Sequence, residues 1–329
     1  MTKTIFRLLI VSLIIVVLMF SLLLVRQQAQ APSRADFSSH LQIIVNNTDT
    51  YFYNQFLDGA KQAADSMQVF IEIVPLEQGN PKSLKETVEK GIYAKVDGIA
   101  LQAGFDTDIE SLYDLAQRHS VQLALYESAD ASALPIPNIT TNAYTIGTTA
   151  ARLAIEASNG NCRAVVVLDQ TDGIISDHPS MKIQGIIDYF SEYPLATLVE
   201  TYVVNSDFLT TEQLMDDLFG QEQLTFNSII CLRETSTPMF AQRILDSNII
   251  SLVRLVGYGA RPETLDYIDR YIIYGTVCPD AREIGFQTVV ELVNSLNGRY
   301  TGDYSSVNLY SITKQNVSEF ILTQEEDIG

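Results

Sequence analysis

A chain of 329 residues, 47% hydrophobic and 9% aromatic, is long enough for two lobes with their own cores and is not the composition of a largely disordered protein. Of its 21 basic residues, Lys3, Arg7, Arg26 and Arg34 precede every acidic one, so the remainder sets 17 basic against 40 acidic residues, a net charge of −23. Such a surface repels phosphate backbones and excludes nucleic acid as a partner.

The first segment in chain order is apolar. From Leu8 to Val25, 18 residues carry no charge, and only Ser12 and Ser21 interrupt them. As a helix this run reaches ~27 Å, close to the hydrocarbon thickness of a bilayer. A retained transmembrane anchor is expected, with the rest of the chain outside the cell membrane. Ala29, Gln30 and Ala31 offer the alternative of a cleaved signal, although Pro32 would then follow the cut. Residues 27–39 form a polar stretch, and the anchor and spacer are taken as residues 1–37, with the first lobe starting at 38.

Beyond the spacer, short apolar runs alternate with amphipathic ones. Strands are expected at 41–46, 70–75, 97–101 and 122–126, with helices at 51–66, 83–93 and 108–119 between them. A second set runs through helices at 144–158, 180–190, 210–219, 236–246, 262–269 and 280–296. Its strands are 163–168, 196–204, 227–232, 253–257 and 272–277. The βαβα rhythm predicts two doubly wound α/β lobes built on parallel sheets.

Motifs for catalysis are missing from the sequence. His40, His119 and His178 stand in no metal-binding spacing, and no nucleophile-elbow, dinucleotide or Walker A pattern occurs. Cys162, Cys231 and Cys278 show no Cys-x-x-Cys spacing and read as small buried hydrophobes. An enzyme is not expected, nor is a cofactor.

Several stretches, taken in order, resemble the sugar-binding periplasmic protein family, of which ribose-binding protein is the best-known member. Tyr51, Phe52 and Tyr53, followed by Gly59-Ala60 and Ala63-Ala64, look like its paired aromatics opening the first helix. Gln78-Gly79-Asn80 looks like its turn after the second strand. Val96 to Leu101 resembles its third strand, and Asn142 to Gly147 the start of the second lobe's first helix. Leu255 to Tyr258 resembles its Gly-Phe/Tyr-Asp strand, and Ile312 to Val317 its closing strand.

The resemblance implies a type I solute-binding fold, with two lobes joined by a three-strand hinge and a ligand held between them. Crossings are expected near 140–143, 273–276 and 304–308. The first lobe is then 38–141 with 276–306, and the second 142–275 with 307–324. By position in the family pattern, Phe52, Tyr53, Gln102 and Glu127 are the expected ligand contacts of the first lobe. Asp177, Lys182, Arg233 and Asp280 are those of the second lobe and hinge. Here the chain departs from the family: Ser128 stands where Arg is usual, Ser180 where another Arg is, Arg233-Glu234 replaces Asn-Asp, and Gly259 replaces an Asp.

The expected function is therefore an extracytoplasmic receptor for a small polar ligand, a sugar by resemblance, closing its lobes to signal to a membrane histidine kinase or an ABC permease. The alternative is an interaction module that has lost sugar binding.

Overall fold

The computed structural model describes Met19 and residues 37–45, 51–76, 83–103, 107–128, 134–169, 180–204, 208–221, 223–299 and 305–328. The expected anchor, Met19 apart, lies outside the described residues. Among the described residues, no helix is long and apolar enough to cross a membrane.

Two six-stranded sheets carry the fold. The first opens with β1 (His40–Val45), α1 (Tyr51–Met67), β2 (Phe70–Pro75), α2 (Ser83–Tyr93) and β3 (Gly98–Leu101). It continues through α3 (Ile109–Arg118), β4 (Gln122–Tyr126) and β5 (Asn138–Thr140). The chain then passes to α4 (Ala143–Ala157), β6 (Arg163–Asp169), α5 (Met181–Ser191), β7 (Thr197–Val204), α6 (Phe208–Phe219) and β8 (Ser228–Cys231). After these come α7 (Ser236–Asp246), β9 (Arg254–Tyr258), α8 (Pro262–Asp269) and β10 (Gly275–Pro279). It returns for α9 (Ala281–Leu296) and β11 (Ser305–Ser306), and ends with β12 (Leu309–Thr313) and α10 (Val317–Ile328).

Strand order is β11-β5-β4-β3-β1-β2 in one sheet and β12-β10-β9-β8-β6-β7 in the other. The two orders are equivalent strand for strand. In each, the connections reverse direction beside the lobe's first strand, between β1 and β3 and between β6 and β8. Open parallel sheets leave a crevice at that point, outside the carboxyl ends of the strands.

All pairings in the first sheet are parallel. The second sheet departs from the expected parallel arrangement at one edge, where β12 runs antiparallel to β10. The closing strand also ends earlier than the expected Val317. The Asn316 side chain accepts from Thr313 N at 2.8 Å and donates to Ser311 O at 3.0 Å, folding the chain into a turn that starts α10.

Each sheet is covered on both faces because its strands are apolar on both. Leu41, Ile43 and Val45 join α1 and α9 residues in one cluster, while Ile44 joins α2 and α3 residues in another. In the second sheet Val165 and Val167 pack on one side, and Ala164, Val166 and Leu168 on the other. Each fully buried branched side chain stabilises by roughly 1.5–3 kcal/mol relative to exposure.

The passages between sheets fall at Thr141–Asn142, at Asp280 and at Val307–Asn308. The first and third lie in the expected windows. The second comes later than expected, because β10 pairs with β9 and β12 through Pro279 and so belongs to the second sheet. The passages are stitched side by side: Val307 N donates to Thr140 O at 3.1 Å, and Asp280 N to Asn308 O at 3.2 Å.

Candidate functional site

The carboxyl ends of β1, β3 and β4 bring three expected residues into one hydrogen-bonded chain. Tyr53 lies in the first turn of α1, directly after β1. Its ring is buried in the first-lobe core and its hydroxyl donates to Gln102 Oε1 at 2.8 Å. Gln102 follows β3 and donates through Nε2 to the carbonyl of Glu127 at 3.1 Å. Glu127 follows β4, and its Oε1 accepts from Thr141 N at 2.9 Å, on the first passage between lobes. Glu127 holds this position with φ of 43°, a left-handed conformation that a non-glycine residue adopts at some cost. Backbone strain of this kind persists where surrounding bonds over-determine it, and here both its carbonyl and its carboxylate are engaged.

Ser128, where the family pattern has Arg, is buried and acts as a staple. Its Oγ accepts from Ala103 N at 2.7 Å and donates to Tyr126 O at 3.1 Å, tying the ends of β3 and β4 together. Behind it, the Tyr126 hydroxyl donates to Ile44 O at 2.7 Å, and complete burial raises its pKa well above the ordinary value. Asn138 Oδ1 and Thr141 Oγ1 are buried beside this chain without a protein partner.

Phe52 precedes Tyr53 and is half-buried, packed on the first-lobe core, with its ring edge-on to Tyr53 at 5.4 Å between centroids. Its neighbour Tyr51 packs instead against a core cluster of the second lobe. The first turn of α1 thus touches both lobes.

In the second lobe, Arg233 and Glu234 leave the end of β8. Arg233 donates to Ser236 Oγ at 3.5 Å, and its carbonyl accepts from Thr237 Oγ1 at 2.8 Å. Glu234 was not among the expected contacts, yet it is a desolvated carboxyl whose pKa the amide of Phe52, at the start of α1, helps to lower. Burial raises its pKa to about 7, against the lowering effect of Arg261 and of the Phe52 amide. Gly259 makes room for it. The glycine has φ of 81°, and a Cβ there would lie 2.8 Å from Glu234 Cγ. The only sequence signal for Glu234 is its place next to Arg233 at a strand end.

Lys182, in the first turn of α5, sets its ammonium 5.4 Å from the ring centre of Tyr258 at the end of β9. Asp280 sits on the second passage. One oxygen caps α9 by accepting from Glu283 N at 3.0 Å, and the other accepts from the Tyr310 hydroxyl at 2.7 Å. That hydrogen bond pushes the Tyr310 pKa up to about 12. Both carboxylate oxygens of Asp280 are therefore committed within the protein. Asp177 lies outside the described residues.

The Cys278 thiol stands near Glu234 and Asp280, and burial together with those two carboxyls pushes its pKa up, so it stays protonated. Cys162 and Cys231 are buried thiols, as expected. Among the described residues no group of three or more His, Cys, Asp or Glu could hold a metal ion. The strand ends of the two lobes thus carry neutral donors and acceptors, two glutamates, an arginine and, in the first turn of α5, a lysine.

Known structures share this architecture. A glucose-galactose binding protein from Geobacillus stearothermophilus superposes with a TM-score of 0.75 at 17% identity, covering 84% of this chain and 98% of that one. An ABC transporter periplasmic solute binding protein from Actinobacillus succinogenes with bound D-allose gives 0.76 at 15% identity, covering 86% and 100%. An ABC transporter solute binding protein from Burkholderia graminis in complex with D-arabinose gives 0.73 at 20% identity, covering 86% and 98%. At these identities the likeness establishes the fold. No curated protein matches the sequence significantly. Residues 41–299 match the periplasmic binding protein domain, which is most of the chain, and the protein belongs to that family of binding proteins.

Proposed function

We propose that this protein is an extracytoplasmic sugar receptor, tethered to the cell membrane by its N-terminal apolar segment, which passes lobe closure on to a membrane partner. The observation that carries this reading is the chain Tyr53–Gln102–Glu127–Thr141 at the carboxyl ends of the first-lobe strands. Sugar hydroxyls both donate and accept, and this chain presents both kinds of group with their positions already fixed by internal bonds. Phe52 supplies an apolar surface beside it, and Lys182 and Arg233 add cationic donors from the second lobe. Asp177 and Asp280 complete the proposed set, Asp280 by holding the hinge. Similar folds in complex with D-allose and D-arabinose support a monosaccharide as the ligand class.

A helical tether would keep the receptor beside one membrane neighbour, a histidine kinase or an ABC permease, to which the closed form would dock.

Thermal denaturation of the purified chain against a panel of pentoses, hexoses and uronic acids tests the reading. A ligand that binds only the folded state raises the melting temperature by mass action, by about 2.7 kcal/mol of stabilisation at one hundred times its Kd. A sugar of the right stereochemistry is expected to raise Tm while its epimers do not. A panel in which no sugar moves Tm overturns the reading and leaves an interaction module.

A further inference from the structure

Lys182 and Arg233 meet at one corner of the second sheet. Strands β9, β8 and β6 lie side by side in that order, and their carboxyl ends share one edge. Lys182, in the first turn of α5, sets its ammonium 5.4 Å from the ring centre of Tyr258, which ends β9. The register Ile230↔Val256 puts Leu232 level with Tyr258, and Leu232 N still donates to Val167 O of β6 at 2.9 Å. Arg233 therefore leaves β8 one residue beyond the level of Tyr258, on a strand about 4.8 Å away. Its guanidinium donates to Ser236 Oγ at 3.5 Å, through one arm of a planar fork. Lys182, Tyr258 and Arg233 are all half-buried. Among the described side chains, the acids of this corner are engaged elsewhere. Glu234 lays its stem on Gly259, and the cation that acts on it is Arg261. Glu263 is joined to Arg261 at 3.4 Å, and Asp280 accepts from Glu283 N and the Tyr310 hydroxyl. Across the crevice the ends of β3 and β4 carry Gln102, Glu127 and Ser128, and no cation.

We propose that the ligand is an anionic monosaccharide, a sugar acid or a sugar phosphate, whose anionic group is held by Lys182 and Arg233. This rests on the sugar-receptor reading and narrows its ligand class. The two lobes divide the work: the hydroxyls of the sugar meet the first-lobe chain of Tyr53, Gln102 and Glu127, and its charge meets the second lobe. A guanidinium fork matches the paired oxygens of a carboxylate or phosphate, and an ammonium beside it adds a compact charge that turns to suit. Closure strips water from both cations. A neutral sugar then offers them only hydroxyl dipoles, whereas a carboxylate or phosphate returns charge-assisted hydrogen bonds. The sequence bears the same sign: at the ends of β8 and β9, Arg233 stands where the family pattern has Asn, and Gly259 where it has Asp.

Calorimetric titration of the full-length protein with matched probes tests this. D-glucuronate and D-glucose 6-phosphate are compared with D-glucose, D-galacturonate and D-galactose 6-phosphate with D-galactose, and D-arabinonate and D-arabinose 5-phosphate with D-arabinose. At least one anionic probe is expected to bind on the order of tenfold to a hundredfold more tightly than its neutral parent. Whether the acid or the phosphate leads tells the two anions apart. Lys182→Met and Arg233→Gln, each checked for a cooperative unfolding transition, should each cut that preference on the order of tenfold. Arg233→Lys, which keeps the charge and loses the fork, should cut it less than Arg233→Gln. Neutral parents that bind as tightly as their anionic counterparts overturn the proposal and leave the sugar receptor standing. A preference that survives both Lys182→Met and Arg233→Gln also overturns it, since these cations would not be what holds the charge. A panel in which no probe binds overturns the proposal together with the reading beneath it.

Discussion

The ring of Tyr53 fills the first-lobe core while its hydroxyl reaches the crevice and donates to Gln102 at 2.8 Å. Removing only that hydroxyl, as Tyr53→Phe, keeps the packing and takes one donor from a part-buried amide oxygen. The expected loss is about 1 kcal/mol of stability, seen as a lower urea midpoint at an unchanged m-value. A midpoint equal to the parent's would mean that water or another donor fills the place, and that the chain to Glu127 is not fixed in advance. That Tyr53 and Glu127 share one edge of the sheet was legible from their positions in the family pattern, because residues at strand ends in a βα series gather there. Glu234 was not. Its burial depends on residues distant in sequence, Gly259 among them, and no local pattern reports that proximity.

Each lobe has one helix pair packed so closely that glycine is required on both members. A Cβ at Gly59 of α1 would lie 1.9 Å from Arg282 O of α9, and one at Gly285 would lie 1.9 Å from Phe56 O. In the second lobe a Cβ at Gly147 of α4 would lie 2.0 Å from Lys182 O of α5, and one at Gly185 would lie 2.3 Å from Tyr144 O. Backbone is what blocks the methyl group, so no side-chain rotation relieves it. Gly147→Ala would gain up to ~1 kcal/mol in a free helix but should cost about 1–3 kcal/mol here by forcing α4 from α5. Because Lys182 opens α5, the same variant should displace its ammonium from Tyr258. Unfolding in urea checks the first effect; a parent-like midpoint would mean that the helices part freely. Elements with a long periodic signal were legible to the residue, among them β2, α2 and α7. The strands β5 and β11, three and two residues long, were not, since so short a run has no period to read. Ile272 and Ile273 were read as the start of β10 because buried apolar residues look alike in sequence whether they pair in a sheet or pack in the turn before it.

At the scale of the whole molecule, neither lobe is made from one continuous stretch. The first sheet ends with β11, and its core on one face is completed by Ile284, Val289, Leu292 and Val293 of α9, all supplied after the chain has built most of the second lobe. Leu292 closes against Gly98 of β3, where an added Cβ would lie 3.0 Å away, and α9 crosses α1 at the paired glycines. A fragment of residues 38–141 therefore has five of its six strands but leaves one face of its sheet and the inner side of α1 bare. Four buried side chains at roughly 1.5–3 kcal/mol each amount to as much as a typical domain's whole net stability. This fragment should show no cooperative unfolding transition by circular dichroism, and it should bind a dye for exposed apolar surface. Joining residues 281–299 to it through a flexible linker restores α9 and should restore a cooperative transition. A sharp, reversible transition in the fragment without α9 would show that the first lobe folds independently. The passage at Asp280 would then be only a hinge, rather than the point at which the chain goes back to finish its first core.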